Sequence, residues 1–85
     1  MRTVPELKTH LRDRGFNPLA YSFYEDLNET YVLVGEHDRW SVYYSERGRR
    51  VQEKVYWDQS EACLDLLHRL ENDPTTRMER PPNEP

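Results

Sequence analysis

The sequence lacks the features that mark several large classes of protein. Its longest uninterrupted apolar run is four residues, Tyr31 to Val34, which is far too short to span a membrane. A single cysteine, Cys63, has no partner for an internal disulfide and is typical of a reducing compartment. The segment Met1–Glu6 contains no apolar stretch of the kind that a signal peptide needs. Together these absences predict a small cytoplasmic protein.

Large aliphatic residues are also scarce. Isoleucine is absent, and Leu, Val and Phe together account for only 17 of the 85 residues. Below roughly 20% of such residues disorder becomes common, but disorder also requires a high net charge. Here 16 acidic and 12 basic residues leave a formal net charge of only −4, and six tyrosines add aromatic surface. The composition therefore predicts one folded domain with a thin core.

Two segments have the periodicity of amphipathic helices. The first covers residues 5–14 and follows Thr3, a candidate N-cap. The second begins at Asp58, which has with Glu61 the spacing of a capping box, and ends at Asp73. Its apolar residues recur at helical spacing and form one stripe: Cys63, Leu66, Leu67 and Leu70.

Three segments between the helices have strand signals. Residues 30–35 are β-branched and aromatic, and residues 40–46 and 50–57 alternate between apolar and polar. Short polar links separate them, as in an antiparallel meander. The alternation in the last segment predicts three apolar residues on one face: Val51, Val55 and Trp57. Residues 20–24 are a candidate fourth strand at the edge of the sheet.

A sheet with one apolar face must cover it, and the two helices are the only cover that the chain offers. We therefore predict an α+β two-layer sandwich in the order α-β-β-β-α. Its sheet would be an antiparallel meander of three or four strands, with the N-terminal and C-terminal helices on one face. The predicted domain covers residues 1–73, and residues 74–85 are predicted to be a flexible, proline-rich tail.

The sequence offers little for catalysis or metal binding. Its three histidines, His10, His37 and His68, lie in separate elements and none forms a spaced pair with Cys63. That cysteine lies on the apolar stripe of an acidic helix, where both features raise a thiol pKa. No carboxylate pair or glycine-rich phosphate loop stands out. We predict no catalytic residue, no metal ligand and no cofactor, and hence a protein that is not an enzyme.

The residue types favour a protein-binding module instead. Tyrosine, tryptophan and arginine are enriched at the hot spots of protein interfaces. Tyr43 and Tyr44 are neighbours on a strand, so one of them must lie on the face away from the helices. Residues 58–73 add five acidic side chains against one basic side chain. The candidate partner-binding residues are Tyr43, Tyr44, Glu46, Arg47, Tyr56, Asp58, Glu61 and Asp65.

The segment Trp40–Gly48, with the sequence WSVYYSERG, is the most distinctive in the chain. Together with Ala20–Ser22, Tyr31–Leu33 and Ser60–Cys63, it resembles a family of small bacterial immunity proteins, over residues 7–73 in all. Members of that family are paired with toxins of the tuberculosis necrotizing toxin type, which hydrolyse NAD. The resemblance implies a cytoplasmic inhibitor that binds the toxin's catalytic domain 1:1 and blocks its active site, without nucleic acid or membrane as a partner.

Two other functions stay open at this point. One is a small cytosolic adaptor that binds a protein without inhibiting an enzyme. The other is an RNA-binding module, because double-stranded RNA-binding domains share the order of one helix, three strands and one helix. Those domains carry lysines at the start of the second helix, where this chain has Asp58 to Glu61, which would repel phosphate.

Overall fold

The described part of the chain folds into two helices packed on a four-stranded sheet. The structure is a computed structural model and describes residues 3–23 and 28–77. The helices are α1 (Val4–Asp13) and α2 (Gln59–Glu71). The strands are β1 (Tyr21–Ser22), β2 (Thr30–Glu36), β3 (Arg39–Glu46) and β4 (Arg49–Tyr56). Short 3-10 turns cover Pro18–Ala20 and Pro74–Thr76. The predicted α+β class is confirmed.

Both helices begin at the predicted N-caps. The Thr3 hydroxyl accepts a hydrogen bond from the Glu6 N–H, and the Glu6 carboxylate accepts one from the Thr3 N–H at 3.1 Å, which makes a capping box. At α2, the Asp58 carboxylate accepts from the Ser60 N–H at 3.0 Å. Asp58 thus bonds the residue two positions on, rather than Glu61, so the capping box predicted for α2 is replaced by a single cap.

The sheet is mixed rather than wholly antiparallel. Its strand order is β1-β2-β3-β4, and the two tight turns between β2, β3 and β4 give the predicted antiparallel pairs. β1 instead runs parallel to β2, with Tyr21 opposite Tyr31. The prediction of a purely antiparallel sheet is therefore wrong at this edge, because two parallel neighbours cannot be joined by a tight hairpin turn. β1 is also shorter than the predicted strand over residues 20–24, of which Tyr24 lies outside the described residues.

One core lies between the sheet and both helices. Leu33 of β2 pairs with Val42 of β3, and both side chains are fully buried on the face that the helices cover. The helices contribute their predicted apolar stripes to the same cluster: Val4, Leu7, Leu11, Ala62, Cys63, Leu66, Leu67 and Leu70. The predicted position of both helices on one face of the sheet follows from this shared cluster.

A β-bulge interrupts the alternation of β4. Tyr44 pairs with Val51, whereas Val42 pairs with Lys54, so β4 has one extra residue between these two pairs. Within the bulge, Gln52 has a φ of 56°, in the left-handed region that usually favours glycine. Each side of the bulge therefore has its own register of inward and outward residues.

The bulge overturns the predicted common face of Val51, Val55 and Trp57. Val51 lies before it and faces the helices beside Tyr44, whereas Val55 lies after it, opposite Ser41, and faces away. Val55 and Trp57 are 50% and 69% exposed. We call this side of the sheet, which carries Ser41, Tyr43, Ser45 and Val55, the open face.

A nearly buried ion pair on α2 makes hydrogen bonds to β4, one within the bulge and one beyond it. Arg69 Nε donates to Asp65 Oδ1 at 2.9 Å, and the two side chains are only 14% and 15% exposed. Arg69 Nη2 donates to the Gln52 carbonyl at 2.7 Å, and the Tyr56 hydroxyl donates to Asp65 Oδ2 at 2.7 Å. We call this cluster the Asp65–Arg69 clamp. It joins α2 to β4 at two points, the Gln52 carbonyl in the bulge and the Tyr56 hydroxyl beyond it.

The end of the described chain packs against the end of α1. The Thr76 carbonyl accepts a hydrogen bond from the Asn17 N–H at 2.7 Å, and Thr76 itself is 2% exposed. The Arg77 guanidinium lies 4.3 Å from the centre of the Phe16 ring. The folded unit thus continues to Arg77, four residues beyond the boundary predicted at 73, and residues 78–85 of the predicted tail lie outside the described residues.

Replacing Arg69 with methionine should destabilise the fold by about 2 kcal/mol, because it leaves the Asp65 carboxylate poorly paired and the bulge carbonyl without its donor. Urea unfolding followed by tryptophan fluorescence measures the change. The matched control is Arg12→Met on α1, where the side chain is 76% exposed and the change should stay within about 0.5 kcal/mol. Equal shifts in the two variants would show that the clamp contributes nothing.

Candidate protein-interaction surface

Tyr43 points away from the helices, but it is not available to a partner. It is only 1% exposed, because the Arg50 guanidinium lies over its ring at 4.3 Å. Arg50 donates to both carboxylate oxygens of Glu36, at 2.8 and 2.9 Å, and to Glu53 Oε2 at 2.7 Å. The hydrogen bonds from Arg50 lower the pKa of Glu36, so its carboxylate stays charged. This bridge from β4 to β2 covers the middle of the open face.

Tyr56 and Asp65 are engaged with each other rather than with solvent. Both belong to the Asp65–Arg69 clamp and are half-buried on the helix-facing side of β4. Burial, together with the hydrogen bond to Asp65, raises the pKa of Tyr56 to about 12. The polar groups of these two predicted contact residues are bonded within the fold, and their side chains expose little surface to a partner.

Tyr44 lies in a small cleft beside the 3-10 turns. Its ring packs against that of Tyr31, with 4.8 Å between the ring centres. The Tyr31 hydroxyl donates to Asp73 Oδ2 at 2.9 Å, and burial with this bond raises the pKa of Tyr31 to about 12. Hydrogen bonds from the hydroxyl of Thr75 and then from Tyr31 lower the pKa of Asp73. The cleft encloses about 170 Å³, enough for ordered water but not for an organic cofactor.

The four remaining predicted residues are exposed, but they do not form one site. Glu46 and Arg47 lie at the turn between β3 and β4, where the Arg47 N–H donates to Asn28 Oδ1 at 2.7 Å. Asp58 and Glu61 lie at the start of α2, beyond the other end of β4. At about 3.3 Å per residue, the eight residues of β4 separate the two pairs by roughly 25 Å.

Trp57 is the most exposed aromatic residue at this end of the sheet, and it is not among the predicted contact residues. Trp57 follows β4 directly and is 69% exposed, and the Arg39 guanidinium lies 4.5 Å from the centre of its ring. Val55, half exposed, lines an adjoining depression of about 400 Å³ together with the turn over residues 36–39. We call Arg39, Val55 and Trp57 the Trp57 surface.

Three exposed carboxylates lie close in the chain to the residues of the Trp57 surface. Asp38 precedes Arg39 and is 77% exposed, with its closest approach to that arginine at 4.0 Å. Asp58 and Glu61 follow Trp57 along the chain and are also exposed. An aromatic and aliphatic centre with a charged rim is the usual anatomy of a protein interface. The arrangement can therefore bind a protein that has a basic surface.

Metal binding and thiol chemistry have little support in the part of the chain that the structure describes. Residues 3–23 and 28–77 contain no group of three or more His, Cys, Asp or Glu side chains placed to hold a metal ion. Cys63 is fully buried in the core, and burial raises the pKa of its thiol above the usual value.

In comparisons with known proteins, no family model, no curated protein and no solved structure matches the chain. Among the described residues, neither helix has the length and apolar character needed to cross a membrane. The Trp57 surface is therefore the feature of the molecule from which a function can be argued.

We expect Tyr31 and Tyr56 to stay protonated well above pH 10, the ordinary tyrosine value, because their pKa values are near 12 in the folded chain. The stability that they contribute is complete below about pH 10 and is lost as the pH rises through 12. Ultraviolet absorbance of tyrosinate should show this late ionisation, and Tyr56→Phe should reduce its amplitude. In urea all six tyrosines should ionise near 10. An unchanged late step in Tyr56→Phe would contradict the assignment.

Proposed function

We propose that this chain is an immunity protein that binds the catalytic domain of a secreted bacterial toxin, an NAD glycohydrolase, in the cytosol of the producing cell. It acts by covering the toxin's active site and performs no chemistry of its own. The observation that carries the proposal is the Trp57 surface, an exposed tryptophan held in place by Arg39 and flanked by Val55.

Trp57 has the properties of an interface hot spot. Its ring leaves most of its area in water, although a domain with so few apolar residues would gain stability by burying it. Arg39 restricts the ring by stacking on it, so less conformational entropy is lost when a partner binds. Tryptophan and arginine are also the residue types that dominate binding energy at protein interfaces.

Charge favours a basic partner. The segment over residues 58–73 carries five acidic residues and one basic residue, and its basic residue, Arg69, is engaged in the Asp65–Arg69 clamp. The exposed Asp58 and Glu61 lie beside the Trp57 surface. A toxin that binds NAD accepts an anionic pyrophosphate and needs a positive rim around its cleft. An acidic inhibitor would therefore approach that cleft with electrostatic assistance.

The placement of the predicted residues narrows the contact site. Tyr43, Tyr56 and Asp65 act inside the fold, and Tyr44 packs against Tyr31 in the small cleft. Glu46 and Arg47 lie at the far end of the sheet. Asp58 and Glu61 are left, together with the Trp57 surface. We therefore assign toxin binding to the end of the sheet where β4 leads into α2.

The direct test is the NAD content of cells that express the product of the neighbouring gene, as the candidate toxin, with and without this chain. We expect NAD to collapse with the toxin alone and to be preserved on co-expression, with recovery of a 1:1 complex. If NAD falls equally in both cultures, the chain is not an inhibitor of that toxin. If NAD never falls, the neighbouring protein is not an NAD glycohydrolase. That result would contradict the proposed activity of the toxin.

Trp57→Ala should weaken toxin binding by about 30-fold, which is the size expected for loss of one hot-spot side chain. Isothermal titration calorimetry with the purified toxin domain measures the change. The control is Leu19→Ala, which removes a side chain that is 81% exposed near the opposite edge of the sheet and should leave affinity unchanged. Equal affinities for both variants would place the interface elsewhere. Urea unfolding of each variant establishes that the fold is intact.

Glu61→Lys should slow association with the toxin about threefold at low salt and should have little effect at high salt, because it reverses one steering charge. Stopped-flow mixing measures both rates. The control is Glu71→Lys, which reverses an exposed charge at the far end of α2. If the two variants associate at the same rate, the start of α2 does not face the toxin.

A further inference from the structure

The small cleft beside the 3-10 turns is a cavity that the proposed function does not use. It encloses about 170 Å³ between β2, β3 and the two turns, and its walls include Leu19, Glu29, Tyr31, Tyr44 and Asp73. Pockets for small organic molecules are usually larger than about 300 Å³. The cleft therefore has the size of the end of one side chain rather than of a metabolite.

Two tyrosine rings form the aromatic part of the cleft. Tyr31 and Tyr44 lie opposite each other on β2 and β3, with 4.8 Å between the ring centres and 59° between the ring planes. The hydrogen bond from the Tyr31 hydroxyl to Asp73 holds one ring in place, and the second ring packs on the first. The face of an aromatic ring attracts a cation, so a positively charged group gains from a pair of rings that is already ordered.

The cleft also has a negative potential. Of the described residues that line it, the charged ones are both acidic: the exposed Glu29 and the half-buried Asp73. Burial, and then the charges of Glu29, Glu46 and Asp73, raise the pKa of the Tyr44 hydroxyl. Three carboxylates thus act on one hydroxyl at the cleft, and a cation that entered would be attracted by all three.

Arg69 is the one described cation whose charge acts on Tyr31 in the opposite sense. That charge is already paired with Asp65 in the Asp65–Arg69 clamp. It therefore offsets only part of the negative potential that an incoming cation would meet.

An exposed apolar side chain lies at the mouth of the cleft. Leu19 is 81% exposed and belongs to the wall. An apolar group in this position can pack against the surface from which an entering side chain projects, and a free inorganic or small organic cation offers no such surface. The mouth therefore favours a cation that is carried by a protein.

We propose that the cleft binds an arginine side chain of a partner protein, with the guanidinium packed on Tyr31 and Tyr44 and its charge facing Glu29. A guanidinium is planar, stacks on aromatic rings and is weakly hydrated, whereas a lysine ammonium is a compact and strongly hydrated charge. Tyr44 is five residues along β3 from Arg39, roughly 16 Å from the Trp57 surface. The inference does not depend on the proposed function.

The test titrates the full chain with a blocked glycine–arginine–glycine tripeptide and follows the backbone amide signals by NMR. We expect saturable shifts at Tyr31, Tyr44 and Thr75. The same tripeptide with citrulline, which has nearly the shape of arginine but no charge, should bind about tenfold more weakly. The lysine tripeptide should also bind more weakly than the arginine tripeptide.

Three outcomes of this titration would overturn the proposal. Equal affinity for the arginine and citrulline peptides would show that charge does not drive binding. Equal or tighter binding of the lysine peptide would contradict the assignment to arginine. Shifts centred on Arg39 and Trp57 would place the arginine at the Trp57 surface instead.

Variants of the cleft identify the groups that bind. Tyr44→Leu should weaken binding of the arginine tripeptide about fivefold, because it removes one ring. Glu29→Gln should weaken it about threefold, as for the loss of one exposed ion pair. The matched control is Asp38→Asn, which neutralises a carboxylate that is 77% exposed at the other end of β3 and should leave the affinity unchanged.

Urea unfolding shows whether each variant is folded. If Tyr44→Leu does not fold, Tyr44→Phe takes its place: it keeps the ring and should bind within about twofold of the unchanged chain. Equal affinities for Glu29→Gln and Asp38→Asn would contradict the assigned position of the charge.

The part that Leu19 plays has its own test. Replacing the first glycine of the arginine tripeptide with leucine should strengthen binding about threefold, because an apolar neighbour can then pack on Leu19. Leu19→Ala should remove that gain and leave the affinity for the original tripeptide as it was. A gain of the same size in Leu19→Ala would contradict the contact.

Discussion

The arrangement of the sheet depends on one nearly buried ion pair, Asp65–Arg69. An isolated charge in this position would be costly to desolvate, so each partner needs the other and also needs further hydrogen bonds. The Gln52 carbonyl, within the β4 bulge, and the Tyr56 hydroxyl, beyond it, supply two of those bonds. The clamp therefore requires the extra residue in β4, because without it Tyr56 would point away from α2. The same extra residue turns Val55 outward. The bulge therefore determines both the contact of Tyr56 with α2 and the exposure of Val55 on the opposite face.

Arginine has a similar role on the open face of the sheet. Arg50 crosses β3 to reach Glu36 on β2 and covers the ring of Tyr43 on the way. Within residues 3–23 and 28–77 no helix covers this side, and the bridge shields the tyrosine ring from water. Its carboxylate partners are about one third exposed, so salt and solvent weaken each contact. The packing of the Arg50 guanidinium on the Tyr43 ring is less sensitive to salt, because much of it is van der Waals contact.

Local patterns in the sequence are sufficient for the elements whose causes are local. The N-caps Thr3 and Asp58, the stripe from Cys63 to Leu70 and the two hairpin turns follow from residues within a few positions of one another. The bulge does not, because a left-handed residue in a strand is usually signalled by glycine and this chain has Gln52 there. The carbonyl of Gln52 accepts a hydrogen bond from Arg69, seventeen residues away, and that contact has no local signal in the sequence. The burial of Tyr43 and the parallel direction of β1 likewise depend on distant contacts. Several of the residues predicted to bind a partner therefore have side chains that are already engaged within the fold.

The Trp57 surface lies at the far edge of the sheet, and the described residues place only Arg39 against the tryptophan ring. A separate protein that binds there must overcome the entropy of association. The large ring can supply binding energy, and the charged surroundings can supply electrostatic steering. These properties are the physical reason for proposing that the external partner binds at that edge.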